Sequence, residues 1–375
     1  MSERKSPSML AHFARLEDFR VDRTKDHKLI DIVLIALCAI ISGANDFVAM
    51  ERFGKTKQGW LAEFLELPNG IPSHDTFRRV ISTLKPEAFV DCFLSWVDAL
   101  QTATAGKIVA IDGKTARATL DRAKNKKAIH VVSAWATDNH LLLGQVPVAE
   151  KSNEITAIPL LLEMIALEGA IVTIDAMGCQ KEIAAKIRQE KADYVLAVKG
   201  NQDHLEDDLI SHFAARDEGT IRGKRSVFES KGKAHGREEY RRYEAVPVPH
   251  TLRNREAWQD LRSLCRTTTV AIKDGQTSAE TRYFISSLAA DAKHLARAIR
   301  GHWGIENGLH WVLDVYFNDD RSRARQEHAA ANLGLLRRWV LSLLRQDKTL
   351  TGSIEKKRLV AGWDDASRAK LLGIL

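Results

Sequence analysis

Cysteine is scarce and scattered in this chain. The four residues, Cys38, Cys92, Cys179 and Cys265, form no CxxC pair, which argues against both a disulfide framework and a cysteine zinc site. Long apolar runs are also missing. The longest, Ile32 to Ile41, is roughly half of what a membrane-spanning helix requires. The opening MSERKSPSMLAHF has no apolar signal core. Internal repeats and low-complexity tracts are absent, which excludes solenoid and linker-type chains. These absences lead us to expect a soluble, cytoplasmic protein of a reducing compartment with no membrane partner.

What is present is an ordinary globular composition over 375 residues, enough for one large core or two to three smaller ones. The net charge of +7 suits a polyanionic partner without requiring one.

Taken in order, the chain changes character at about residue 105. Before it the signals are helical. A short helix is expected around Met9 to Phe19, and KLIDIVLIALCAIIS (28–42) reads as a buried helix closed by Gly43. Asp46 is placed to cap DFVAMERFGKTKQGWLAEFL, Ser73 to cap HDTFRRVISTL, and Pro86 to start a last helix through SWVDALQ. From Lys107 three strand-like runs follow: KIVAIDG, AIHVVSAWAT (128–137) and LLLGQVPVA (141–149). Next come a helix at 153–167 capped by Asn153 or Ser152, the strand AIVTIDA, the helix CQKEIAAKIRQEK, and the strand DYVLAVKGN (193–201). A three-strand meander followed by alternating helix and strand predicts an α/β chain with a mixed sheet flanked by helices. Residues 202 to about 290 break the alternation and read as a β-rich insertion. A helix bearing Glu306 follows, then a helix at 327–347. The expected organisation is a helical module over 1–104, a catalytic domain over 105–345 and a basic helical tail over 346–375.

Three acids carry the candidate chemistry. Asp112 (KIVAIDGKT) and Asp175 (AIVTIDAMG) each end an apolar run at a glycine-containing turn, where side chains of an α/β sheet project into the ligand crevice. In ARAIRGHWGIENGLHWVLDVYFNDD (296–320), helical spacing puts Ile299, Trp303, Glu306, His310 and Leu313 on one stripe. A buried carboxylate there needs a cation, a hydrogen-bond network or a metal. Gly301, Gly304 and Gly308 each cost that helix about 1 kcal/mol relative to alanine, which points to close approach of DNA or another backbone; a kink at Gly308 would undo the stripe. Hard oxygen ligands suit Mg²⁺ or Mn²⁺, and two ions would stabilise both the attacking and the leaving oxygen of a phosphodiester displacement. The plainer readings are an Asp-Gly hairpin turn for Asp112 and a helix N-terminal charge for Asp175.

In that order, IDGKT, KSNEITAIP, IDAMGCQ, YVLAVKGNQ, HGREE and HWGIENGLHWVLDV resemble the H repeat-associated, ISAs1-type insertion-sequence transposases of the DDE class. GIPSHDTFRRV and KKRLVAGWD extend the resemblance over nearly the whole chain. It implies an RNase H-like catalytic domain with a β-rich insertion before the last catalytic helix, and Asp112, Asp175 and Glu306 as catalytic and metal-binding residues. It also implies Mg²⁺-dependent cleavage and strand transfer of double-stranded DNA at element ends, by a homodimer. Related transposases show a Tyr-Arg-Glu-Lys pattern around the glutamate. Here Ile299, His302 and Leu313 stand in those places, and His302, Trp303, Asn307 and His310 are the residues available instead.

Other candidates for DNA contact are Lys114 beside Asp112, Lys199 and Asn201 at the end of the fifth strand, and Arg78 and Arg79 on a helix shaped for a groove. His235, Arg237 and Arg241 alternate onto one face of HGREEYRR, and Trp303, Trp311 or His310 offer further contacts. Solvated surface residues, a charged edge strand and core packing explain the same residues without DNA. Two further functions fit the sequence: a DNA-binding remnant that no longer cuts, which binds ends without nicking, and a host nuclease, which cuts without end preference or joining.

Overall fold

The apolar segments of the sequence become one sheet and the helices that cover it. The structure is a computed structural model that describes residues 8–100, 106–120, 127–148, 152–234 and 237–374. Six helices come first: α1 (Met9–Phe13), α2 (Leu29–Ile41), α3 (Phe47–Thr56), α4 (Gln58–Leu61), α5 (His74–Thr83) and α6 (Pro86–Ala99). α2 is apolar apart from Asp31 and is buried along nearly its whole length, as its composition demands. Asp46 accepts from Ala49 N and Ser73 from Thr76 N, so both expected caps form. The expected single helix after Asp46 is broken at Lys57 into α3 and α4, and α1 is shorter than its periodicity suggested.

The sheet alternates with helices in the expected order: β1 (Ile108–Ala116), β2 (Ile129–Ala136), β3 (Leu141–Pro147), α7 (Glu154–Met164), β4 (Ile171–Ile174), α8 (Lys181–Gln189), β5 (Asp193–Val198) and α9 (Asp203–Asp217). Asn153 occupies the N-cap of α7 but makes no capping hydrogen bond. β1 to β3 form an antiparallel meander, while β4 and β5 run parallel to β1. The order β3-β2-β1-β4-β5 is the RNase H-like mixed sheet.

The β-rich stretch consists of β6 (Ser226–Ala234), β7 (Arg237–Pro247), β8 (Ser263–Lys273) and β9 (Gln276–Ser286). It is not a separate sheet. β9 pairs antiparallel with β5, from Val195↔Ser286 to Val198↔Tyr283, and extends one sheet to nine strands. The open edge of β5 is thereby closed, as an apolar central strand requires. His235 of the expected basic face lies outside the described residues.

The chain ends with α10 (Ala292–Ile305), α11 (Trp311–Phe317), α12 (Ala329–Gln346), α13 (Ile354–Trp363) and α14 (Asp365–Leu371). α12 packs on α2, α5 and α6 and also on β3, so a continuous apolar core joins the first helices to the sheet. The basic tail is built into that core. Arg358 donates to Ile40 O at 2.8–3.0 Å and lies over the Phe317 ring, and Lys357 donates to Leu344 O and Asp347 O. All four cysteines are buried and unpaired, with their thiols pushed up to between about 11 and about 12 by burial. No helix among the described residues is long and apolar enough to cross a membrane.

Candidate active site

Strand register brings the two aspartates together. β1 and β4 are paired from Ile108↔Ile171 to Ile111↔Ile174, and the pairing stops there. Asp112 is the next residue of β1, and Asp175 is the first residue past the end of β4. In a parallel pair, residues at matched positions share a face, so both acids stand where the strands part, at the carboxyl end of the sheet. β1 itself continues to Ala116, with Asp112 opposite Ser133 of β2. Asp112 is therefore mid-strand and not the corner of an Asp-Gly hairpin. Asp175 does lead into a turn, its Oδ1 accepting from Met177 N at 3.0 Å and Gly178 N at 3.4 Å.

Close packing of α10 delivers the third acid. A Cβ on Gly301 would lie 2.6 Å from Ile108 Cδ1, one on Gly304 2.3 Å from Thr137 Cγ2, and one on Gly308 3.1 Å from Trp135. Thr137 Oγ1 also donates to Gly301 O at 2.9 Å. The glycines are thus spent on the sheet's own side chains, not on DNA. The helix does not kink at Gly308. It widens into a π-turn over Glu306–His310 between α10 and α11, a feature concentrated at functional sites. The expected buried stripe is interrupted accordingly: Ile299, His310 and Leu313 are buried, but Trp303 is 44 % exposed and the Glu306 carboxylate is half exposed.

Ligating atoms of Asp112, Glu306 and His310 all lie within 4.8 Å of one another. His310 is 3 % exposed, its Nδ1 3.2 Å from Glu306 Oε2 and 3.4 Å from Asp112 Oδ2. Burial holds its imidazole below the usual value, so a neutral ring with the proton on Nδ1 fits two acceptors. The hydrogen bond from His310 holds the Glu306 carboxyl low. Asp112 behaves oppositely: burial, then the charge of Asp175, push it up to about 7, with Glu154 and Glu306 adding. Asp175 is not part of the 4.8 Å cluster, but it lines the same cavity of about 570 Å³ as Asp112, Glu306, His302, Trp303 and Lys199. A set of hard oxygen donors beside one imidazole, with acids outnumbering cations, fits a divalent ion.

The remaining sequence candidates separate. Lys199 is exposed at the cavity, beyond the end of β5, which is shorter than expected. Asn201 sits in a 3₁₀ turn and donates to Ala176 O at 2.7 Å, tying down the Asp175 turn. The Lys114 side chain is 9 % exposed and pairs with Asp314 Oδ2 at 2.6 Å, which turns it toward α11. His310 is likewise taken up by the acids. Arg78 and Arg79 are exposed on α5, Arg78 paired with Asp75. Arg237 is exposed at the start of β7, paired with Glu239, and its register partner Lys273 leads through the β8–β9 turn to Gln276. That is the far end from the cavity, which β9 lines at Glu280–Phe284. Trp311, 51 % exposed, is no more a core residue than Trp303.

Sequence reading did not find Arg282, whose guanidinium lies 5.2 Å over the Trp303 ring; only the pairing of β9 with β5 puts it there. Nor did it find the His130–Glu154 pair (2.6 Å), which occupies the space a side chain at Gly113 would need. Of the three residues at the Tyr-Arg-Lys positions, Ile299 and His302 line the cavity and Leu313 does not, and His302 Nδ1 lies 3.1 Å from Thr173 Oγ1.

Comparison with known proteins bears on this site. The family described as "Transposase DDE domain" matches residues 104–343, and that described as "DDE_Tnp_1-associated" matches residues 10–97. "Putative transposase YncI" of Escherichia coli O157:H7 is 42 % identical over 355 residues, covering 94 % of this chain and 90 % of its own. "H repeat-associated putative transposase YhhI" of Escherichia coli K12 is 37 % identical over 369 residues, covering 97 % of each. Among solved structures, the piggyBac transposase synaptic complex with hairpin DNA aligns with a TM-score of 0.45 at 12 % identity, over 98 % of this chain and 77 % of that one.

Proposed function

This chain belongs to the Transposase DDE domain family, and from that premise we propose that it cuts and joins DNA strands at insertion-sequence ends. The observation that carries the reading is the meeting of Asp112, Asp175 and Glu306 in one cavity, with Asp112 held high by burial and by the neighbouring acids.

In this reading Asp112, Asp175 and Glu306 hold Mg²⁺ or Mn²⁺, as two ions. When bound, the metal supplies activation of the attacking water or 3′-hydroxyl oxygen and neutralisation of the departing one. The chain's own residues do the rest. The β1–β4 register fixes the two aspartates side by side, and Gly301 and Gly304 let α10 bring Glu306 over them. His310 holds the Glu306 and Asp112 oxygens through Nδ1. Lys199 and Arg282 at the cavity meet substrate phosphates, and Trp303 offers a face on which an unpaired base stacks. Lys114 and Asn201 act through position, anchoring α11 and the Asp175 turn. Arg78 and Arg79 on α5 and Arg237 on the β7 hairpin contact duplex DNA outside the cavity. Residues 1–104 recognise element ends, residues 105–345 catalyse, the helices of 346–375 support them, and the working unit on DNA is a homodimer.

A strand-cleavage assay with Mg²⁺ on element-end DNA tests this. The wild type should nick the ends and join them to target, while Asp112→Ala, Asp175→Ala and Glu306→Ala should do neither. Variants that cut as well as the wild type would overturn the assignment.

A further inference from the structure

A second groove, of about 570 Å³, runs between α5 and the connector from α11 to α12. That connector is firmly held at one end. Asp319 is buried, 2.8 Å from Arg337 Nη1 and 3.8 Å from Arg338 Nη1, and Asp320 lies 3.8 Å from Lys114 Nζ. Arg325 Nε donates to Ala118 O at 3.0 Å, just past β1. Between these anchors the sequence reads Arg-Ser-Arg-Ala-Arg. Arg321, which closes a 3₁₀ turn, and Arg323 and Arg325 in the irregular stretch after it are exposed, while Ser322 and Ala324 are half-buried, so every exposed position from 321 to 325 carries a guanidinium. Arg323 and Arg325 stand two residues apart, a separation of at most about 6.6 Å along the chain, the scale on which phosphates follow one another along a nucleic-acid strand.

Several exposed arginines here are matched to an acid, among them Arg253 to Asp208 and Arg297 to Asp138. Arg321, Arg323 and Arg325 form no ion pair among the described residues. Four arginines and one carboxylate line the groove. The carboxylate, Asp46, is engaged in capping α3 through Ala49 N at 2.8 Å. The fourth arginine is Arg78 of α5. At its other end Arg325 also lines a neighbouring cavity that reaches His130, Glu154 and Met177, and Met177 is held by the Asp175 carboxylate. A strip of arginines, met by Asp75 at Arg78 and by Glu154 and Glu327 in the cavity beyond Arg325, therefore leads from α5 to the edge of the acid cleft.

We propose that Arg321, Arg323 and Arg325 form a phosphate track that grips the backbone of duplex DNA flanking the cleavage point. It would set the distance between the segment read by α5 and the strand presented to Asp112 and Asp175. The proposal rests on the DNA-processing reading above. A track of this kind reads charge and spacing, not sequence.

Binding of two labelled duplexes, one an element end and one of unrelated sequence, is measured by fluorescence anisotropy across salt concentrations without divalent metal. The comparison is between wild type, R321A/R323A/R325A and R321K/R323K/R325K, with thermal unfolding recorded for each. Removing the three charges should lower the slope of log K against log salt by about 0.9 per arginine, near 2.7 in all. The loss should be equal on both duplexes, and the lysine variant should keep most of the wild-type slope. A wild type that binds beside an alanine variant of unchanged affinity and slope overturns the track alone. A lysine variant as impaired as the alanine variant also overturns it, because the role would then be the bond to Ala118 and not charge. If the alanine variant does not fold, R321A and R323A, which leave that bond intact, should each lower the slope by about 0.9, and unchanged slopes overturn the track. A wild type that binds neither duplex overturns the DNA-processing reading itself.

Discussion

Asp112 and Asp319 are both largely withdrawn from water, yet the fold treats them in opposite ways. Burial alone would push the Asp319 carboxyl up, but Arg338 and Arg337 more than offset it and hold it low. Asp112 has no comparable cation, so burial, reinforced by the charges of Asp175, Glu154 and Glu306, drives it up to about 7. A buried acid that serves the fold arrives with its counter-charge in the same chain. One left among other acids is held in an unfavourable state by the rest of the structure, which is where a missing cation is to be sought.

The contrast is sharpest in matched substitutions. Asp112→Asn should lower metal-dependent cleavage by at least about a thousand-fold, with the fold intact by circular dichroism; cleavage within tenfold of wild type would break the comparison. Asp319→Asn should instead destabilise the protein by about 3–5 kcal/mol, because two buried guanidiniums lose their partner. Denaturant titration should give the same loss with and without Mg²⁺.

The pH dependence follows from the raised value. Folded Asp112 titrates near 7 and unfolded aspartate near 3.9, so the folded state binds more protons between about pH 4 and 7. Without metal, stability contributed by protonated Asp112 is present at low pH and lost as pH rises through that window. Asp112→Asn should therefore melt above wild type at pH 8, by up to about 4 kcal/mol of stability, with the gap closing by pH 4. Wild-type Mn²⁺ affinity should rise from pH 6 to 8 as the proton is displaced. A melting gap that does not change with pH would contradict this.

Two smaller effects probe the delivery of Glu306 and the cavity's cations. Gly304→Ala, which would be stabilising on an exposed helix, should here destabilise by about 1–3 kcal/mol, since its Cβ meets Thr137; cleavage should fall with it. Lys199→Ala should leave the melting temperature unchanged and lower the salt slope of DNA binding by about 0.9.

Much of this was legible in the sequence because the period of apolar residues reports which faces are covered. α2, the caps at Asp46 and Ser73, and the strands around Ile111 and Ile174 were all readable in that way. The pairing of the aspartates was legible only as two similar strand ends, since parallel register is not written locally. Three features were hidden because each depends on what lies across from a residue and not beside it: the continuation of β1 past Gly113, the joining of β9 to β5, and the pairing of Lys114 with Asp314. The π-turn was hidden too. A 3.6-residue stripe cannot show where one extra residue enters the turn, and that residue leaves Glu306 facing the cavity and not the core.

Anomalous diffraction from Mn²⁺-soaked crystals tests the central claim most directly. We expect a peak coordinated by oxygens of both Asp112 and Glu306, with Asp175 ligating the same ion or one beside it. A peak elsewhere, or none at Mn²⁺ concentrations that saturate binding in solution, would contradict the account.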